Sequence, residues 1–269
     1  MSNNKSNEIV VRQGAALVKR QSPTEASAAQ KHFVFDLDET LGSFGEMYKI
    51  WKQHARNEDS CIDFLVKLLT IFPEFMRSGI VSILQFLYQK KKAGQFGHLY
   101  IYTNNQCGRK WTESLVHAIE QVAHTPHLFD HIICAFKINN VVIESRRTSH
   151  WKTWSDFVRC TLLPTTAHIC FIDDTYFPYM KRDRVFYLQP RPYVHSLSMD
   201  EIQKRLTQNH LEIPESLRVS ASPTTTTYDS SDRLLFYLNE FFNMSLRRPS
   251  TRKIKGRFWY NLSQKKRHK

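Results

Sequence analysis

The sequence predicts an α/β fold in which a parallel sheet carries helices on both faces. Short apolar runs that read as strands alternate with segments at helical spacing. Three of those runs also end in a polar or acidic cluster. Phe33-Val34-Phe35 leads into Asp36-Leu37-Asp38-Glu39-Thr40, residues 99–102 into Thr103-Asn104-Asn105, and residues 168–172 into Asp173-Asp174. In an open α/β sheet the carboxyl ends of the strands form the ligand crevice, so clusters far apart in sequence are expected to converge.

The elements follow in order. Residues 1–30, rich in Ser, Asn, Gln and Ala, read as a flexible polar segment. The first strand is 32–36. Met47, Ile50 and Trp51, then Ile62, Leu65, Val66 and Leu69, recur at helical spacing, with Asp59 or Ser60 as a cap and Pro73 as the stop. This insert, 43–76, is expected above the strand ends as a small helical cap. A helix at 79–92 presents Ile80, Ile83, Leu84 and Leu87 on one face.

Strand 98–102 precedes a helix at 109–123 whose stripe is Trp111, Leu115, Ile119 and Val122. Strands follow near 131–136, 168–172 and 185–188, with an edge hairpin at 141–143. Trp151, Trp154, Phe157 and Val158 mark an amphipathic segment opened by Lys152. Ser198 and Glu201 form a capping box before a short helix. The main domain is therefore 31–213, followed by a Ser/Thr-rich linker at 214–231. The end, 232–269, holds a short helix and a basic tail; the helix stripe Leu234, Leu235, Leu238, Phe241 and Phe242 is expected to dock on the domain.

Composition narrows the classes. Of 269 residues 41% are hydrophobic, enough for a full core, and no apolar run approaches the length of a membrane span. Met1-Ser2-Asn3-Asn4-Lys5 lacks the apolar core of a secretion signal, which points to an intracellular protein, cytoplasmic or nuclear. The five cysteines are scattered without a C-x-x-C pair and read as reduced packing residues. Ten of the formal charges of +13 lie in 247–269, which has no acid, so the remainder carries +3. That tail interleaves Phe258, Trp259 and Tyr260 with cations, a composition suited to nucleic acid, to an acidic protein or to plain solvation.

The chemistry concentrates at the strand ends. Asp36 and Asp38 lie one residue apart, so both can face one substrate, one attacking phosphorus and the other handling the proton. Asp173-Asp174 supplies a second acidic pair, and oxygen ligands suit Mg2+. Lys152 is the preferred phosphate-binding cation, with Lys137, Arg146 and Arg147 as rivals in the same region. His117, His124, His127 and His131 do not make a zinc set, since Pro126 breaks any shared helix face. No Walker A, G-x-G-x-x-G or G-x-S-x-G motif occurs.

With these motifs in this order, the chain resembles the haloacid dehalogenase (HAD) superfamily of phosphatases over roughly residues 31–205. The string Asp36-Leu37-Asp38-Glu39-Thr40-Leu41 is similar to the branch that dephosphorylates the RNA polymerase II C-terminal domain, the NLI-interacting-factor type. Shortened versions of that type occur in large DNA viruses. The resemblance implies a HAD-type Rossmann-like domain with Asp36 as nucleophile and Asp38 as general acid and base. Thr103, Asn104 and Lys152 would contact the phosphoryl group. Asp36, the backbone carbonyl of Asp38, Asp173 and Asp174 would serve Mg2+. The chain departs from that branch in having Asp173-Asp174 for Asp-Asn, Thr103-Asn104-Asn105 for Thr-Ala-Ser, and a helical insert where the branch has a β-hairpin.

The resulting expectation is a Mg2+-dependent phosphatase acting on a phosphoserine or phosphothreonine protein segment. A nucleic-acid 3′-phosphatase with the same chemistry is the alternative that the basic tail motivates. A phosphate-recognising scaffold without turnover is the reading from a different class.

Overall fold

A computed structural model describes residues 9–19, 31–54, 61–214 and 231–246. The cap residues Asp59 and Ser60, nearly all of the linker and the whole basic tail 247–269 lie outside these described residues, so the expectations placed on them stand apart from the fold.

The main sheet has six strands in the order β1-β9-β8-β3-β4-β5. These are β1 (Val10–Gln13), β3 (Lys31–Phe35), β4 (Leu99–Tyr102), β5 (His131–Ile133), β8 (His168–Ile172) and β9 (Val185–Gln189). All neighbours run parallel except β1, which pairs antiparallel with β9 at one edge. Strands β3, β4 and β8 are buried along their whole length, which explains their near-continuous apolar sequence.

Side chains alternate between two cores. Phe33, Phe35, Ile101, Cys170, Ile172, Phe186 and Leu188 enter one. Val34, Tyr100, Tyr102, Ile169, Phe171 and Tyr187 enter the other. The first core is roofed by α1 (Gly45–His54), α2 (Cys61–Ile71), α3 (Ile80–Lys92), α4 (Arg109–Val122), α6 (Met199–Gln208) and α7 (Ser231–Phe242). The second rests on α5 (Trp154–Thr161), which contributes Trp154, Phe157 and Cys160. Helices on both faces of a largely parallel sheet are therefore present, with most of them on one side.

Two small ribbons complete the chain. β2 (Leu17–Lys19) pairs antiparallel with β10 (Met244–Leu246), tying the N-terminal segment to the far end of the described chain. β6 (Lys137–Ile138) and β7 (Val141–Val142) form a hairpin through Asn139 and Asn140, both at positive φ as a two-residue turn requires.

Four expectations need correction. Residues 1–30 are not uniformly unstructured, because Val10–Gln13 and Leu17–Lys19 are strands and Ile9 and Leu17 are buried in the main core. Their polar composition hid a short edge strand whose partner residues are 173 to 179 positions away. The described residues of the insert 43–76 pack into the domain core rather than standing as a separate cap. Met47, Ile50, Trp51, Leu65, Leu68 and Leu69 are buried in the same core as Phe33 and Trp111, because an apolar stripe this wide is stabilised by the domain itself. The 141–143 hairpin stands apart from the main sheet. Lys152 lies in the loop two residues before α5, and Trp151 is 54% exposed rather than part of its apolar stripe.

Other expectations hold. Ser198 Oγ accepts from the Glu201 N–H at the start of α6. In α7, Leu234, Leu238 and Phe241 are buried against the domain, and Lys31 Nζ donates to the Phe242 carbonyl. Among the described residues no helix is long and apolar enough to cross a membrane.

Candidate active site

The strand register brings the predicted residues together. Phe35 of β3 stands opposite Ile101 of β4 and Ile172 of β8, so Asp36 leaves the sheet beside Asp173 and close to Thr103. The ladder runs on past the strand ends: Asp36 N donates to Ile172 O (2.8 Å), Asp173 N to Leu188 O (3.1 Å) and Thr103 N to Ile133 O (3.0 Å). The chain steps from β3 to β4 on one side, and β8 to β9 lie on the other. The site therefore sits where the winding direction changes, the usual crevice of such sheets.

A cavity of about 230 Å³ opens there. Asp36, Asp38, Thr103, Asn104, Lys152, Asp173 and Asp174 all line it, along with Glu39, Asn105, Thr175 and Phe177. None of the described residues of the 43–76 insert belongs to that lining.

Lys152 is the central cation. Its Nζ donates to Asp36 Oδ1 (2.5 Å) and Asp173 Oδ2 (2.7 Å), and it is 2% exposed. It also lies 5.1 Å from the centroid of the Phe177 ring. Burial works against the ammonium, yet Asp173 and Asp36 hold it above the usual lysine range. Of its three rivals, Arg146 bonds the Cys160 carbonyl, Lys137 lies over Phe136 on the hairpin, and Arg147 has a different task.

Arg147 braces the loops around the cavity. Its guanidinium donates to Thr103 O (2.9 Å), Cys134 O (2.8 Å), Asn104 Oδ1 (2.7 Å) and His150 O (3.2 Å). Five donors in a rigid fork suit such a convergence of acceptors. The carbonyl end of Asn104 is thereby committed to Arg147, so only its amide N–H groups remain for a ligand.

Asp38 is oriented by a residue to which the sequence assigned no role. Asn105 Nδ2 donates to Asp38 Oδ2 (2.8 Å), while Asn105 N donates to Thr103 Oγ1 (3.0 Å) and Asn105 Oδ1 accepts from Cys107 N. Burial, reinforced by Asp36, pushes the Asp38 carboxyl up to about 6. A carboxyl tuned this way carries a proton at mildly acidic pH and can donate it.

The loop that carries Asp38 is tightly held. Arg77, itself buried, donates to Thr40 O (2.6 Å), Glu39 O (2.6 Å) and Arg191 O (2.7 Å). Gly42 is obligatory there, since an added Cβ would lie 2.3 Å from Phe75 O. Thr40, part of the D-x-D-x-T string, donates to Asp174 Oδ1 (3.0 Å) and accepts from Asp174 N (3.0 Å), clamping the second acidic pair to the first.

Carboxylate oxygens of Asp36, Asp173 and Asp174 lie within 4.8 Å of one another. Burial holds Asp173 above the usual carboxylate range, against the pull of Lys152, and burial with Asp36 pushes Asp174 up to about 6. Three carboxyl groups around a single ammonium leave an excess of negative charge in a buried place. A hard divalent cation with oxygen ligands relieves that excess, so the donor set fits Mg2+. The carboxylate of Asp38 is not one of the three, and the contact expected of that residue is through its backbone carbonyl.

No protein-family model matches the chain, and no curated protein matches it at a significant level.

Proposed function

We propose that the chain is a Mg2+-dependent phosphomonoester phosphatase of HAD type, acting through an aspartyl-phosphate on a phosphoserine- or phosphothreonine-bearing protein segment. The observation that carries this reading is the convergence, in one cavity, of paired carboxylates, a buried ammonium, a hydroxyl and a three-carboxylate cluster.

Each residue has a distinct task. Asp36 attacks phosphorus as the ester P–O bond breaks, and Asp38 gives its proton to the leaving oxygen. Water then attacks the phosphoryl group on Asp36, Asp38 takes up a proton from that water, and inorganic phosphate departs with Asp36 restored. Lys152 and the Thr103 hydroxyl hold phosphoryl oxygens through both steps, with the Asn104 amide at the rim. Positioning and charge neutralisation carry most of phosphoryl transfer, and those are what buried, doubly held side chains provide. Mg2+, held by Asp36, Asp173 and Asp174, would supply neutralisation of the anionic phosphate. The peptide substrate itself rests on the motif resemblance.

Hydrolysis of para-nitrophenyl phosphate with Mg2+ and with EDTA tests the reading. Metal-dependent turnover that falls at least about 1,000-fold in Asp36→Asn is expected. Absence of turnover in folded, Mg2+-supplied wild type would favour a phosphate-recognising scaffold instead.

A further inference from the structure

Among the described residues, Trp151 and Tyr179 are exposed large aromatics beside the cavity. They are 54% and 56% exposed. Their rings meet edge to face, centroids 6.0 Å apart at 87°, which leaves indole and phenol faces open to solvent. Trp151 also meets Phe177 edge to face at 6.2 Å, and Phe177 is part of the cavity wall beneath Lys152. The three rings thus form a continuous apolar step from the phosphoryl site outwards.

Nothing in the catalytic chemistry needs the outer two rings. A group small enough to fill a cavity of about 230 Å³ reaches Phe177 and stops short of Tyr179. Only a substrate that continues past its phosphoryl-bearing side chain touches the step. The charge at the mouth selects the kind of polymer. Asp36, Asp38, Glu39, Asp173 and Asp174 line the cavity, Lys152 is the one Lys or Arg among the described lining residues, and Glu39 is exposed. A bound divalent ion still leaves the acids in excess. Such a mouth repels the repeated phosphates of a nucleic-acid strand and admits a peptide that brings a single phosphoryl group.

We infer that Trp151 and Tyr179 form a docking step for the residues flanking the phosphorylated side chain of a peptide substrate. The inference rests on the phosphatase reading and names which part of the substrate the enzyme reads outside its catalytic cavity.

The test uses the full chain with Mg2+ and two phosphoserine substrates, the free amino acid and nonapeptides randomised at the flanking positions, with a 3′-phosphorylated oligonucleotide assayed alongside. In Tyr179→Ala and in Trp151→Ala the ratio of peptide to phosphoserine kcat/KM is expected to fall roughly tenfold, the scale of one buried aromatic contact. Trp151→Phe keeps most of the ratio. Peptide affinity is measured in parallel in the Asp36→Asn background, so a protein without turnover still reports on docking. An unchanged ratio with unchanged affinity overturns the inference. So does a loss confined to a 3′-phosphorylated oligonucleotide. Failure of both substrates to turn over, with affinity still dependent on Tyr179, would remove the catalytic reading and keep the docking step.

Discussion

Replacing Lys152 with Met tests the electrostatic core of the site. The ammonium lies 2.5 Å from Asp36 and 2.7 Å from Asp173, with all three side chains nearly or wholly removed from water. At an effective dielectric constant near 20 each contact is worth about 6 kcal/mol before desolvation. The variant also removes the burial penalty of the lysine, several kcal/mol, and Met fills much of the same volume. What remains is the strain of two facing carboxylates with no cation between them. The net expectation without metal is a loss of about 3–5 kcal/mol at pH 7.5.

The sign of the pH dependence follows from the same picture. Without the lysine, the folded protein holds a proton in the cluster that the unfolded chain releases. Stability of the variant therefore falls as pH rises, and the loss is smaller at pH 5.5 than at pH 7.5. Urea unfolding of both proteins at the two pH values, in EDTA and then in Mg2+, measures this. Mg2+ should restore part of the lost stability while activity stays at least about 100-fold down, because Mg2+ does not replace the phosphate contact. A loss below about 1 kcal/mol, or an equal loss at both pH values, would refute the assignment of Lys152 as the charge that holds the cluster together.

Metal itself should stabilise wild type: at 100 times its dissociation constant Mg2+ contributes about 2.7 kcal/mol, a melting shift of roughly 5–10 °C, and Asp174→Asn should remove most of it. Arg147→Lys cannot satisfy four converging acceptors with one ammonium; thermal melting should show a loss of about 2–3 kcal/mol, with kcat on para-nitrophenyl phosphate falling as the 103–104 loop loosens. Gly42→Ala should destabilise by at least about 1–3 kcal/mol in urea unfolding, because the loop cannot yield where the Phe75 carbonyl and the Phe44 ring both crowd the new methyl. Burial, with His98 alongside, lowers His32 to about 4, and its Nδ1 accepts the His98 N–H, so the folded state needs the neutral ring. The unfolded chain protonates this residue first. Stability should thus decline from pH 6.5 towards about 4, by at most about 3 kcal/mol, and His32→Leu should flatten that part of the pH profile.

The chain itself determined the parts of this protein that depend on neighbouring residues. Apolar runs such as 33–35 and 168–172 marked buried strands, because a strand covered on both faces needs apolar residues at every position. The polar clusters at their ends located the site, since the chain can bear carboxylates only where it leaves the sheet. Helix stripes and the Ser198 cap were legible for the same reason: their spacing is a property of the helix alone.

The tertiary structure decided whatever depends on contacts between distant segments. Val10–Gln13 became a strand because β9 offers it an edge, and no local signal in a polar N-terminus announces that partner. The apolar faces of 45–54 and 61–71 could have roofed the cavity or the core; they joined the core that Phe33 and Trp111 share. Among Lys137, Arg146, Arg147 and Lys152, four cations within sixteen residues, only spatial packing separated the ammonium held by two carboxylates from the guanidinium that braces carbonyls. Asn105 gained its role in the same way, 67 residues from the carboxylate it orients. Charge and hydrogen-bonding capacity are written in the residue types, but the partner that uses them is set by the register of β3 against β4 and β8.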